Sequence, residues 1–148
     1  MKIRVRKIGN QLEEVVEVQC HEVTEEVREI VHFVKSRQGQ VTGSFDGRQY
    51  EISVMDIYYI EVVDSKSFIY CSKEVYETKE KLYALESELE DKSFLRVSKS
   101  TLLNLMKVTA IKPGFNSRFI AVLQNGEEVI ISRKYVPALK EKLAGGKK

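Results

Sequence analysis

Histidine occurs only at His21 and His32, cysteine only at Cys20 and Cys71, proline only twice, and tryptophan not at all. Each scarcity excludes something. Cys20-His21 is too sparse for a zinc site, which needs further ligands at suitable spacing. His32 falls in an apolar helical stretch as a packing residue, and no serine, histidine and acid set has local support. Catalysis is therefore not expected, and neither a metal nor a cofactor is called for. The two cysteines lie too far apart to form a disulfide framework, and free thiols suit a reducing cytoplasm. No apolar run approaches the ~20 residues that span a bilayer. The opening Met1-Lys2-Ile3-Arg4 alternates charge with apolar residues instead of beginning a signal peptide. There is no internal repeat and no glycine-rich phosphate loop. A cytoplasmic protein that does not itself span a membrane is the expectation.

What the chain does have is charge, unevenly placed. Residues 1–91 carry 12 lysines and arginines against 19 acids, a balance of −7, whereas residues 92–148 carry 12 against 3, a balance of +9. A local excess of cations is what binding to a phosphate backbone requires, because each contact releases condensed counterions. A solvated basic face would look the same at this level.

The apolar pattern predicts mainly β structure with two or three short helices, an α+β arrangement rather than a wound parallel sheet. Residues 2–8 and 14–20 alternate as half-buried strands do, with Gly9-Asn10 between them. Thr24 is placed to cap a helix with Val27, Ile30, Val31 and Val34 on one face, Glu25 and Glu26 in its first turn, and Gly39 after its end. Asp46-Gly47 is a strong hairpin turn, and Asn125-Gly126 is the preferred type I′ pair. Ile57 to Val63 is dense in β-branched and aromatic residues, with Asp64 to Ser67 a polar loop before the strand Phe68 to Cys71. Val75 to Glu77 is a short strand, and Thr78 is expected to cap a helix burying Leu82, Leu85 and Leu89. Phe94 to Val97 is strand-like, while Ser98 to Asn104 looks like a structured loop. After a strand over 107–111 and the hairpin around Asn125-Gly126, a last helix starts near Ser132 or Arg133 and buries Val136, Leu139 and Leu143. Pro137 fits its opening turn. The organisation expected is residues 1–38 as a strand-strand-helix extension, 39–144 as the main domain, and 145–148 as a flexible tail.

An ordered series of motifs resembles the LytTR DNA-binding domain of bacterial response regulators. It runs Asp56-Ile57-Tyr58-Tyr59-Ile60-Glu61, the Ser65-Lys66-Ser67 loop, a leucine-rich helix, then Phe94-Leu95-Arg96-Val97-Ser98-Lys99-Ser100 and Leu103-Asn104-Leu105. Asn125-Gly126 and Ile131-Ser132-Arg133-Lys134-Tyr135 complete it. The resemblance implies an elongated domain of small antiparallel sheets whose loops, not a recognition helix, enter successive major grooves of double-stranded DNA. It also implies pairs of short direct repeats as sites, and hence a homodimer on DNA. Lys66, Ser67, Lys99 and Arg133 match the base-reading positions, although Lys99 stands where some relatives have asparagine. Independently, Arg133 can donate a bidentate pair to guanine O6 and N7, and Lys99 reaches the same acceptors. Arg96, Ser98, Ser100, Asn104, Arg118 and Lys134 suit phosphate or sugar contacts, which position without specifying. Arg96 pairing with an acidic residue on a neighbouring strand, and Asn104 satisfying buried backbone, are the structural alternatives.

Two rival functions are a single-stranded nucleic-acid binder, for which Phe115 and Phe119 are the only plausible stacking pair, and a protein-interaction module. Residues 1–38 are too few for a phosphoacceptor receiver domain. They are expected to mediate dimerisation or to contact a regulatory protein partner, unless the helix only completes the fold.

Overall fold

Ten strands and three helices make up the computed structural model, which describes residues 1–145. The helix α1 (Glu25–Ser36) precedes the hairpin β1 (Gln40–Phe45) and β2 (Arg48–Ser53), then β3 (Ile57–Val63), β4 (Lys66–Cys71) and β5 (Val75–Thr78). The helix α2 (Leu82–Glu88) leads to β6 (Phe94–Ser98) and β7 (Thr101–Asn104); β8 (Val108–Pro113), β9 (Phe119–Leu123), β10 (Glu128–Ile131) and α3 (Val136–Gly145) follow. All strand pairs are antiparallel, in a seven-stranded sheet ordered β2-β1-β5-β4-β3-β7-β6 and a three-stranded sheet ordered β10-β9-β8. The β-rich fold with short helices agrees with the sequence reading.

The larger sheet is covered on both faces, and this positions everything else. One face buries Ile57, Ile60, Ile69, Phe94 and Leu102 against Leu82 and Leu85 of α2 and Leu89 just after it. The other buries Tyr58, Val97 and Leu103 against Ala121, Leu123, Val129 and Ile131 of the smaller sheet and Val136 and Leu139 of α3. Successive side chains of a strand point to opposite faces. Leu102 and Leu103 therefore belong to different cores, and all four residues of β7 are buried. Sequence reading makes this stretch a loop; it is a central strand paired with both β3 and β6. A strand buried on both faces has no polar alternation to betray it.

Turn chemistry is seen where both central residues accept a positive φ. Asp46 (50°) and Gly47 (75°) close β1-β2, and Asp64 (51°) and Ser65 (66°) close β3-β4 with Val63 opposite Lys66. Both are type I′ in character, which matches the strand twist. At Asn125-Gly126 only Gly126 is left-handed, at 87°. Its N–H donates to the Leu123 carbonyl, and the Leu123 N–H donates to the Glu127 carbonyl, each at 2.9 Å. This is a longer turn than the two-residue one expected.

Three further expectations are corrected. Residues 1–24 contain no strand, only a turn in which the Leu12 N–H donates to the Gly9 carbonyl at 3.1 Å. A half-buried strand needs a ladder partner and a face to cover, and here Ile3 and Val5 are 93% and 97% exposed. Thr78 does not cap α2: it ends β5, its hydroxyl accepting from the Glu80 N–H at 3.3 Å, and the helix starts after Lys81. Leu143 stays exposed, while Val136 and Leu139 are buried as read. Thr24 does cap α1, accepting from the Val27 N–H at 3.4 Å. Of the tail expected at 145–148, Gly145 ends α3 and 146–148 lie outside the described residues.

Candidate nucleic-acid interface

Antiparallel register brings three turns to one end of the larger sheet. The β3-β4 turn presents Lys66, and the β6-β7 turn is Lys99-Ser100. They are neighbours because Glu61 of β3 pairs with Thr101 of β7, and the Val62 N–H donates to the Ser100 carbonyl at 2.9 Å. The third turn is the 3-10 segment Arg133–Tyr135, fixed to the same end by the Ser132 N–H donating to the Val97 carbonyl at 2.8 Å. A fourth loop joins them. Ile131 pairs with Phe119, so the 114–118 loop with Arg118 emerges beside Arg133. The Gly114 N–H closes that loop on the Arg118 carbonyl at 2.9 Å, and Asn116 and Ser117 at its tip have φ of 54° and 62°.

Lys66, Lys99, Arg118, Arg133 and Lys134 are all exposed. Among the described residues none of them has an ion-pair partner within 4.0 Å. Cations not spent on carboxylates are available to phosphates and base edges. Lys134 lies 5.7 Å from the Tyr135 ring, which steadies its stem without neutralising it. The opposite end of the sheet, where Ile57 meets Cys71, is different in charge. A groove there is lined by Glu51, Asp56 and Glu74 as well as Lys73 and Lys107. Burial, with Asp56 and Glu74 adding to it, pushes the Cys71 thiol up to about 11.

Of the residues expected to touch DNA, four do otherwise or more than expected. Ser67 is not in the loop: it lies in β4 opposite Val62 and Thr78 and is 6% exposed, so the base-reading role assigned to it is withdrawn. Asn104 is 2% exposed and fully occupied. Its Nδ2 donates to the Ile57 carbonyl at 2.8 Å and to that of Val54 at 3.4 Å, and its Oδ1 accepts from the Met106 N–H at 3.0 Å. It holds backbone, not phosphate. Arg96 has a side chain only 17% exposed, its Nη2 3.4 Å from Glu86 Oε1 on α2 and its Nε buried without a partner. Its Nη1 donates to the Lys99 carbonyl at 3.1 Å, so Arg96 shapes the Lys99 turn from inside. Ser98 does the same from the strand end, its hydroxyl accepting from the Ser100 N–H at 3.2 Å. Ser98 and Ser100 are half-buried.

Sequence reasoning missed Glu86, Asn116 and Ser117. Glu86 meets Arg96 only through tertiary packing of α2 on β6, which no local pattern signals. Asn116 and Ser117 do carry a signal, the turn-forming run Pro113-Gly114-Phe115-Asn116-Ser117.

The comparisons agree with this geometry. A family model described as "LytTr DNA-binding domain" matches residues 47–144. A solved LytTr DNA-binding domain from Bacillus cereus superposes with a TM-score of 0.68 at 25% identity, covering 72% of this chain and 97% of that one. The sensory transduction protein LytT of Bacillus cereus is 36% identical over 92 residues, 62% of this chain but only 37% of LytT. An uncharacterised HTH-type transcriptional regulator of Staphylococcus aureus is 23% identical over 146 residues, 97% of this chain and 99% of its own length. Strand-end loops, free cations and a family match over most of the chain have one reading: the protein belongs to the LytTr DNA-binding domain family.

Proposed function

We propose that the protein is a transcription regulator that reads promoter DNA in the major groove through the four loops at one end of its sheet. Arg133 and Lys99 read base edges, with Lys66 contributing from the β3-β4 turn. Arg118 and Lys134 neutralise phosphates, and Arg96, Ser98 and Ser100 set the shape of the Lys99 turn. The single observation carrying this reading is the convergence of exposed, uncompensated cations from separate turns on one end. Two copies bind at a pair of direct repeats in the cytoplasm, and the protein works without catalysis. The regulatory role is supported by likeness to the Staphylococcus aureus transcriptional regulator, which this chain matches along nearly its whole length.

Selection of bound sequences from random duplex DNA is the decisive test: a repeated short motif is expected, and recovery of no motif would remove sequence-specific regulation. Salt dependence separates the roles of the cations. Arg118→Ala and Lys134→Ala should each weaken all duplexes alike and reduce the slope of log affinity against log salt by about 1. Arg96→Ala should lower affinity while leaving that slope unchanged, because its guanidinium faces Glu86 and the Lys99 carbonyl. A reduced slope for Arg96→Ala would return it to the phosphate.

A further inference from the structure

Residues 2–19 keep the pattern of a hairpin although a single chain gives them no ladder. The observed Gly9–Leu12 turn fixes which residues would face each other if the two arms closed. Counting outward, Ile8 meets Glu13, Lys7 meets Glu14, Val5 meets Val16, Arg4 meets Glu17 and Ile3 meets Val18. Opposed residues share a face. One face of the closed hairpin therefore holds Ile3, Val5, Leu12, Val16 and Val18, and opposite charges meet at Arg4-Glu17 and Lys7-Glu14. In the single chain this apolar set is largely in water, with Val5 97% and Val16 71% exposed. An isolated two-stranded hairpin is marginal in water and gains stability only when its apolar face is covered.

We infer that residues 2–19 close into this hairpin when two copies of the chain meet, and that the apolar face is the contact between them. An isologous contact demands a patch complementary to itself. An apolar face whose one charged pair, Lys7-Glu14, lies between Val5-Val16 and Leu12 meets that demand. The segment's charge speaks against nucleic acid as the occupant, since its four basic side chains stand beside Glu13, Glu14 and Glu17. The inference is independent of how the basic loops use DNA.

The test uses the full chain in sedimentation and amide-exchange experiments at about 100 μM, where a weak dimer would be populated. The wild-type chain should sediment as a dimer with protected amides in residues 3–8 and 13–18. The double variant Val5→Glu, Val16→Glu places like charges opposite each other and should be monomeric, with that protection lost. Thermal melting of the sheet domain should not change, because both side chains are exposed. Arg4→Glu should weaken the dimer, and adding Glu17→Arg should restore it. A monomeric wild-type chain, a dimer that survives the double glutamate variant, or a hairpin protected in the monomer would each overturn the proposal. Binding of the same samples to a duplex carrying one half-site reports the DNA reading separately. Its loss with the dimer intact would sink that reading and leave this one standing.

Discussion

Arg133→Ala should cost about 1–3 kcal/mol on the preferred duplex, or roughly five- to 150-fold in affinity, and relax selectivity at one base position. The guanidinium can donate two parallel hydrogen bonds in a rigid fork, which suits guanine O6 and N7. Its backbone is held firmly. The Ser132 N–H is tied to Val97 in the core, the Tyr135 N–H donates to the Ser132 carbonyl at 2.8 Å, and Val136 and Leu139 anchor the helix that follows. A backbone so fixed loses little further freedom on binding. Arg133→Lys separates charge from fork: it should keep the salt slope but lose most of the base preference. Affinity and preference both unchanged in Arg133→Ala would transfer the base-reading role to Lys99 or Lys66.

Where local chemistry determines the outcome, the fold was legible in the sequence. The Asp46-Gly47 hairpin, the strand Ile57–Val63, the α2 leucines and the Thr24 cap follow from turn preference, β-branching, helical spacing and capping. The readings that fail depend on partners far away in sequence. Residues 2–8 and 14–20 alternate as well as any strand in the chain, yet lack a core to cover. Thr101–Asn104 shows no alternation because α2 lies on one side and the smaller sheet on the other. The site divides in the same way. Exposed cations on turns, Lys66, Lys99, Arg133 and Lys134, could be placed from motif and turn position, whereas Arg118 reads as the start of a strand and lies in the loop before it. Whether a polar residue faces DNA or the interior could not, as Ser67, Arg96 and Asn104 demonstrate: each lies beside the basic loops in sequence, and strand parity or a helix partner turns it inward.

Asn104→Ala should reduce stability by about 2–4 kcal/mol, lowering the melting temperature by on the order of 10 °C, with little change in DNA affinity for the fraction that stays folded. The magnitude follows from what is stranded. The Ile57 carbonyl loses its 2.8 Å donor and the Met106 N–H loses its acceptor, at a residue that is only 2% exposed. A buried polar group left unpaired costs about 1–3 kcal/mol. Asn104 also joins three places the chain reaches separately: the segment after β2, the start of β3, and the turn between β7 and β8. Removing it loosens the end of β7, whose other end supports the Lys99 turn. Asn104→Asp is the sharper comparison, because it keeps the acceptor for Met106 and removes the donor to Ile57, setting an oxygen against a carbonyl oxygen in a buried site. It should be at least as destabilising as alanine, whereas a phosphate-contacting asparagine changed to aspartate would lose DNA binding and leave the melting temperature almost untouched.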